Sequence, residues 1–169
     1  MSAVPQAKAL LSAQAYRAID REIAKYPVDQ KQSAVMAALA IAQTELGWIS
    51  KEVMEEVARY LEMPAIAVYE VATFYAMYNL EPPGKCKITI CTNLPCALSG
   101  ATRAAAHLKH RLGIGFNQTT ADGAFTLKEG ECMGACGDAP VLLVNNTRME
   151  SFMSDAKLDA LLEELKKAG

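Results

Sequence analysis

Four cysteines arranged as two pairs constrain this chain more than any other feature of its sequence. Cys91 and Cys96 are separated by four residues, and Cys132 and Cys136 are separated by three. Two close pairs of this kind are typical of a site in which four thiolates hold a metal centre. The fold must therefore bring together two segments that lie far apart along the chain.

The spacing alone leaves two kinds of metal centre open. A [2Fe-2S] cluster takes four cysteine thiolates, commonly at spacings wider than C-x-x-C, and structural zinc also accepts four paired cysteines. A thioredoxin-type catalytic disulfide is disfavoured because the chain contains no C-x-x-C motif. Two structural disulfides without a metal are disfavoured too, because disulfides are rare in proteins of the cytosol.

The fifth cysteine, Cys86, is interpreted as a packing residue outside the site. It lies five residues before Cys91, at the start of a predicted strand. The side chains of these two cysteines therefore point to opposite faces of an extended chain. A role as a small buried hydrophobic residue is favoured for Cys86.

Composition and charge exclude several classes of function. The formal net charge is −2, with Lys and Arg scattered among Asp and Glu, which argues against a nucleic-acid binder. No secretory signal is visible at the N-terminus. The apolar segment 65–80 is too short for a membrane span and contains Glu70. We therefore expect a cytoplasmic protein without direct membrane insertion, and its 51% of hydrophobic residues is enough for a packed core.

Residues 1–81 are predicted to form a helical bundle. Apolar residues recur at helical spacing in four segments, at about 12–26, 32–46, 51–61 and 65–75. Gly47 suits the C-terminal end of the second segment, and Ser50 suits the N-terminal cap of the third. Short connections between four such helices indicate a small N-terminal bundle.

Residues 82–169 are predicted to form a separate domain with a different pattern. The Pro-Pro-Gly sequence at 82–84 is the clearest break in the chain. After it the predicted elements are a strand ending at Cys91, a helix ending at Leu112, strands at 124–128, 141–144 and 148–152, and a helix after Ser154. This order is the outline of a thioredoxin-like α/β domain. The predicted fold class is therefore α+β/α/β, with a helical bundle followed by this domain.

The residues around these elements resemble the thioredoxin-like [2Fe-2S] ferredoxins. The second cysteine pair lies in the sequence ECMGAC at 131–136 and is followed by GDAP at 137–140. The helical part contains QTELGWI at 43–49 and VATFY at 71–75, and Pro-Gly-Lys at 83–85 precedes the first strand. Together these sequences resemble one branch of the family in particular, the small iron–sulfur subunits of the NADH-oxidising module of respiratory complex I.

The resemblance implies a cofactor, a function and partners. It implies one [2Fe-2S] cluster held by Cys91, Cys96, Cys132 and Cys136, which transfers single electrons within an NADH:quinone oxidoreductase. FMN and NADH are expected only in a partner, the flavin- and NADH-binding subunit of complex I, so this chain alone has no complete active site. The large iron–sulfur subunit of the same module is expected as a second partner. The assembly implied is bacterial and peripheral to the inner membrane on its cytoplasmic side.

Two alternatives remain open at this point. The same architecture resembles accessory subunits, or diaphorase modules, of NAD-linked hydrogenases and formate dehydrogenases, so one chain does not fix which assembly it joins. In a different class, the protein is a zinc-stabilised interaction module without a redox function. A purified zinc protein would be colourless, whereas an iron–sulfur protein would be red-brown.

Overall fold

The computed structural model describes residues 10–168 of the 169-residue chain. The chain divides into two compact units, of which the first ends at Pro82 and the second begins at Pro83. The sequence placed the domain boundary between residues 81 and 82, beside the same pair of prolines. No helix in the described part of the chain is long and apolar enough to cross a bilayer.

The first unit is built from α-helices. Within residues 10–82 their bounds are α1 Ala13–Ile23, α2 Val35–Leu46, α3 Lys51–Leu61 and α4 Ala65–Phe74. The predicted caps are confirmed, since Ser50 accepts a hydrogen bond from the Val53 N–H and Gly47 adopts a φ of +83° after α2. Helix α2 begins later than predicted because residues 28–34 form a 3₁₀ segment with a non-helical φ/ψ inside it.

The helices of the first unit enclose a core of their own. Ile19, Leu39, Ile49 and Leu61 are almost completely buried in it. The segment after α4 returns to this core, because Tyr78 is 2% exposed and its hydroxyl donates to the Met36 carbonyl oxygen at 2.9 Å. The bundle therefore satisfies its buried polar groups from within.

The second unit contains a five-stranded sheet with helices in its connections. Its elements are β1 Cys86–Cys91, α5 Leu94–Leu98, α6 Ala101–Leu112, β2 Gln118–Thr119, β3 Phe125–Gly130, β4 Leu142–Val144, β5 Arg148–Glu150 and α7 Asp155–Ala168. The strand order is β2-β3-β1-β4-β5. Strands β1 and β3 are parallel and joined by a crossover that contains α6, while the other neighbours are antiparallel.

The second unit differs from the prediction in several details. Strand β3 continues to Gly130, two residues beyond its predicted end. The short helix α5 and the two-residue strand β2 were not predicted. The last strand ends at Glu150 instead of residue 152, because Phe152 has a φ of +54° and cannot continue an extended strand. These elements are too short to show a hydrophobic period in the sequence.

The core of the second unit lies between one face of the sheet and helices α6 and α7. Ile88 and Ile90 of β1 are fully buried there against Leu108 and Leu158. Cys86 is half-buried against the same core. Because side chains alternate along a strand, Cys91 belongs to the other face. The predicted separation of Cys86 from Cys91 is confirmed.

The central strands also set the position of the cysteine loops. In the register of the parallel pair, Cys91 of β1 lies opposite Gly130 of β3. The carboxyl ends of these two strands therefore meet at the same edge of the sheet. Since Cys132 follows β3 directly, the two cysteine segments come together at this edge.

Candidate metal centre

The first cysteine of the site is fixed by the central strand. Cys91 is the last residue of β1, and its N–H donates to the Val141 carbonyl oxygen at 3.1 Å. The N–H of Thr92 donates to the Gly130 carbonyl oxygen at 3.0 Å. Strands on both sides of β1 thus hold the backbone at Cys91, whose side chain is buried.

Cys96 lies on the short helix α5, an element that the sequence did not predict. Asn93 caps this helix, because its side-chain oxygen accepts a hydrogen bond from the Leu94 N–H at 2.6 Å. Pro95 stands in the first turn, where its missing N–H costs nothing. The Asn-x-Pro sequence was a helix-start signal that could have revealed α5.

The first pair is enclosed by protein. Cys91 is 2% exposed and Cys96 is 1% exposed, and both pack against Ala101 and Val141. Burial raises the pKa of Cys96, and its hydrogen bond with the Cys91 thiol raises the pKa further. Two thiolates in this place therefore need a compensating positive charge, which a metal centre supplies.

The second pair lies on an exposed loop. Cys132 and Cys136 are both exposed, and a short 3₁₀ turn, Cys136–Asp138, begins at the second of them. Gly134 has a φ of +69°, a conformation that glycine adopts without strain. In this conformation its N–H donates to Cys132 Sγ at 3.3 Å. Backbone N–H groups directed at sulfur stabilise the negative charge of a thiolate.

One cavity is lined by all four cysteines. Its volume is about 90 Å³, and its other lining residues are Asn93, Pro95, Met133, Ala135 and Val141. Within residues 10–168, no three His, Cys, Asp or Glu side chains are grouped to hold a single metal ion. A [2Fe-2S] cluster that takes two thiolates on each iron needs no such group. Four sulfur donors around a small, mostly apolar cavity fit a two-iron cluster.

The family of the chain is shown by comparison with known proteins. A sequence model of the thioredoxin-like [2Fe-2S] ferredoxin family matches residues 19–166. The chain belongs to this family. The predicted fold is thereby confirmed, and so is the prediction of a [2Fe-2S] cluster as the cofactor of the family to which the chain belongs.

Several bacterial proteins are similar to this ferredoxin over most of their length. An NADH-quinone oxidoreductase subunit from Rickettsia prowazekii (strain Madrid E) is 43% identical over 143 residues, which cover 84% of this chain and 80% of the relative. An NADH-quinone oxidoreductase subunit from Rhizobium meliloti (strain 1021) is 43% identical over 150 residues, which cover 89% of this chain and 88% of the relative. Both relatives carry the name of the same component of that oxidoreductase. The predicted branch of the family is confirmed by these relatives.

A solved structure shows the same fold within a larger chain. The crystal structure of an NAD⁺-reducing [NiFe]-hydrogenase in its H₂-reduced state superposes with a TM-score of 0.67 at 25% identity. The match covers 79% of this ferredoxin but only 22% of the hydrogenase chain. The present chain therefore corresponds to about a fifth of that hydrogenase chain. The assignment of the four cysteines as ligands stays a prediction, which their common cavity supports.

Proposed function

We propose that this chain is the small electron-transfer subunit of an NADH:quinone oxidoreductase, with one [2Fe-2S] cluster bound by Cys91, Cys96, Cys132 and Cys136. The observation that carries this proposal is the single cavity that these four side chains line. Relatives that cover most of the chain carry the name of such a subunit. The division of ligands is two on one iron, from the buried pair, and two on the other, from the exposed loop.

The chain's own residues would control the environment of the cluster. When bound, a [2Fe-2S] cluster supplies a one-electron acceptor and donor. The buried pair keeps water from one side of the site, and the Gly134 N–H stabilises negative charge on Cys132 Sγ, which favours reduction. The exposed carboxylates of Glu129, Glu131 and Asp138 oppose reduction. The potential follows from the balance of these groups.

The proposal assigns the rest of the reaction to partner subunits. This chain contains no G-x-G-x-x-G sequence after a strand, so we assign FMN and NADH to a flavin- and NADH-binding subunit. The large iron–sulfur subunit of the same module is the second proposed partner. The chain would then be an enzyme subunit without a complete active site, on the cytoplasmic side of a bacterial inner membrane. Residues 1–81 and 82–169 are proposed as its two domains.

Metal analysis of the purified protein tests this proposal. We expect a red-brown protein with two irons and two acid-labile sulfides per chain, and an electron paramagnetic resonance signal after reduction by one electron. The zinc content should be negligible. A colourless protein with one zinc per chain would overturn the proposal and restore the interaction module as the explanation.

A second candidate assembly is an NAD-linked hydrogenase or formate dehydrogenase. The similarity to the NAD⁺-reducing hydrogenase structure favours it, because the match covers 79% of this chain. Affinity purification of the tagged chain from its native cells distinguishes the assemblies. Co-purification with quinone-reducing subunits supports the first proposal, whereas co-purification with hydrogenase or formate dehydrogenase subunits supports the second.

A further inference from the structure

The connection between β5 and α7 is hydrogen-bonded to the loop of the second cysteine pair. The Phe152 N–H donates to the Asp138 carbonyl oxygen at 2.8 Å. The Met153 N–H donates to the Pro140 carbonyl oxygen at 3.0 Å. We call residues 151–153 the strap, because two successive N–H groups of this segment hold the end of the cysteine loop.

Side-chain contacts reinforce the strap on both sides. The Ser151 hydroxyl lies 3.3 Å from Asp138 Oδ2, to which it donates. Lys157 of α7 donates from Nζ to the Ser151 carbonyl oxygen at 3.3 Å, and the same ammonium group lies 5.8 Å from the centre of the Phe152 ring. Met153 is buried in the core between the sheet and the helices. The strap is therefore anchored to the rigid part of the unit.

The backbone of the strap adopts an uncommon conformation. Phe152 has a φ of +54°, in the left-handed region that bulky side chains rarely occupy. In an extended strand, successive N–H groups point to opposite sides. A left-handed turn at Phe152 lets the N–H groups of Phe152 and Met153 both donate to the same loop. Such conformations persist where the surrounding contacts determine them, and they are frequent at functional sites.

The cysteine loop has little support from its own residues. Cys132, Gly134 and Cys136 are exposed, and the Asp138 N–H donates to the Ala135 carbonyl oxygen within the loop at 3.0 Å. A loop with few buried apolar contacts opens at a low cost in free energy. Met133, Ala135 and Ala139 of the loop pack, partly buried, around the first cysteine pair, and the strap adds two backbone hydrogen bonds at the end of the loop.

We infer that the strap is a positioning element for the exposed half of the cluster site, and that the left-handed turn at Phe152 is its essential feature. The strap residues bind no iron. They hold the Cys136 segment so that its thiolate stays in place and the Gly134 N–H stays directed at Cys132 Sγ. This inference rests on the proposed function, because it concerns retention of the cluster.

Two substitutions at one position test the turn. Phe152→Gly and Phe152→Val both remove the ring and its contact with Lys157, but only glycine adopts a positive φ without strain. We expect the valine variant to lose its cluster about tenfold faster than the glycine variant in the presence of an iron chelator, which corresponds to about 1.4 kcal/mol. The decay of the visible absorption at a fixed temperature measures this rate.

Spectroscopy and potentiometry separate positioning from a general loss of stability. In Phe152→Val the reduction potential should move to more negative values, because the Gly134 N–H is no longer held towards Cys132 Sγ, and the electron paramagnetic resonance signal should broaden. In Phe152→Gly the reduction potential and the electron paramagnetic resonance signal should match those of the wild-type protein. Equal rates in the two variants, whether fast or slow, would overturn the role of the turn.

A milder substitution covers the case in which Phe152→Val fails to fold. Ser151→Ala removes one side-chain hydrogen bond to Asp138, and we expect it to accelerate cluster loss about threefold. Ser12→Ala is the matched control, since the Ser12 hydroxyl also donates to a carboxylate, Glu45 Oε2 at 2.6 Å, but belongs to the helical unit. Equal rates in these two variants would overturn the inference. A wild-type protein without any cluster would instead contradict the proposed function.

Discussion

The two cysteine pairs are held in different ways, although they line one cavity. Cys91 and Cys96 are buried and belong to a central strand and a capped helix. Cys132 and Cys136 are exposed and belong to a loop that contains a left-handed glycine. Regular elements therefore fix one half of the site, whereas the other half depends on the few contacts that its loop makes. The two halves should respond differently to substitution, to reagents and to strain.

Replacing one ligand in each pair should have the largest effect. In Cys96→Ser the shorter side chain cannot move towards the metal, because α5 and the core fix its backbone, so we expect the iron content to fall by more than about tenfold. In Cys136→Ser the exposed loop can adjust, and we expect about half of the iron to be retained with an altered spectrum. Iron and sulfide analysis and visible absorption measure both results.

Cys86→Ala is the matched control for the ligand variants. Cys86 is half-buried against the core and does not line the cavity. Its replacement should leave the iron content and the spectrum unchanged. A loss of iron in this variant, or an unchanged visible spectrum in Cys96→Ser, would contradict the assignment of the ligands.

Alkylation of the cluster-free chain should show the same asymmetry. Cys132 and Cys136 are open to reagents, whereas burial shields Cys91 and Cys96 and raises the pKa of Cys96. We expect the exposed pair to react about tenfold or more faster with iodoacetamide at pH 7, because only an accessible thiolate reacts. Mass spectrometry of peptides after timed quenching gives the rates, and Cys86 should react at an intermediate rate. Similar rates for both pairs would mean that removing the cluster opens the buried pair as well.

The difference in burial between the two cysteine pairs could not be predicted from the sequence. The spacing of the four cysteines identified them as candidate ligands. Hydrophobic periodicity and capping residues located the longer elements, such as α3 with its Ser50 cap and the strand that ends at Cys91. Burial is a tertiary property, however, and the two pairs look alike as sequence patterns. Helix α5, which buries Cys96, spans only Leu94–Leu98 and is too short for a hydrophobic period.

The contacts that support the exposed loop were also invisible in the sequence. They join Asp138 and Pro140 to Phe152 and Met153, and most of them are made by backbone groups. Nearly every residue has a backbone N–H and a carbonyl group, so no side-chain pattern predicts these contacts. The positive φ of Phe152 is equally unexpected from its residue type. The sequence therefore identified the candidate ligands but not what holds them.

Backbone strain in the loop should have an intermediate effect. In Gly134→Ala the new Cβ meets no atom within 4 Å, so the cost comes from the φ of +69° and should be about 1–2 kcal/mol. We expect cluster loss to accelerate by up to about thirtyfold. Gly47→Ala is the matched control, because Gly47 also has a positive φ and open space around its Cβ but belongs to the helical unit.

The two glycine variants can be followed by separate signals. Trp48 is the only tryptophan of the chain and belongs to the helical unit, so its fluorescence reports the unfolding of that unit. Gly47→Ala should lower the urea midpoint of the fluorescence change and leave the rate of cluster loss unchanged. Gly134→Ala should leave the urea midpoint unchanged and accelerate cluster loss. Faster cluster loss in Gly47→Ala would show that the lability of the loop reflects unfolding of the whole chain.

The smallest expected effect concerns acid. Glu56 of the helical unit is buried and accepts hydrogen bonds from the Tyr16 hydroxyl and from Arg59 Nε, the latter at 3.1 Å. Burial alone would raise the pKa of Glu56, but these hydrogen bonds outweigh it and lower the pKa. A carboxylate with a lowered pKa stabilises the folded state at neutral pH, and this contribution is lost as the pH falls through the folded pKa.

Glu56→Gln should remove this pH-dependent contribution to the stability of the helical unit. At pH 7 we expect the free energy of unfolding, measured through Trp48 fluorescence in urea, to fall by about 1 kcal/mol. The difference between variant and wild-type protein should shrink as the pH falls through the lowered pKa of Glu56, because the wild-type carboxyl group then also becomes protonated. Cluster loss at pH 7 should be unchanged, because the lability of the exposed pair is local to its loop. If Glu56→Gln accelerated cluster loss as much as Gly134→Ala, cluster loss would follow the stability of the whole chain and not the local contacts of each cysteine pair. The strap could then not be the element that protects the exposed half of the site.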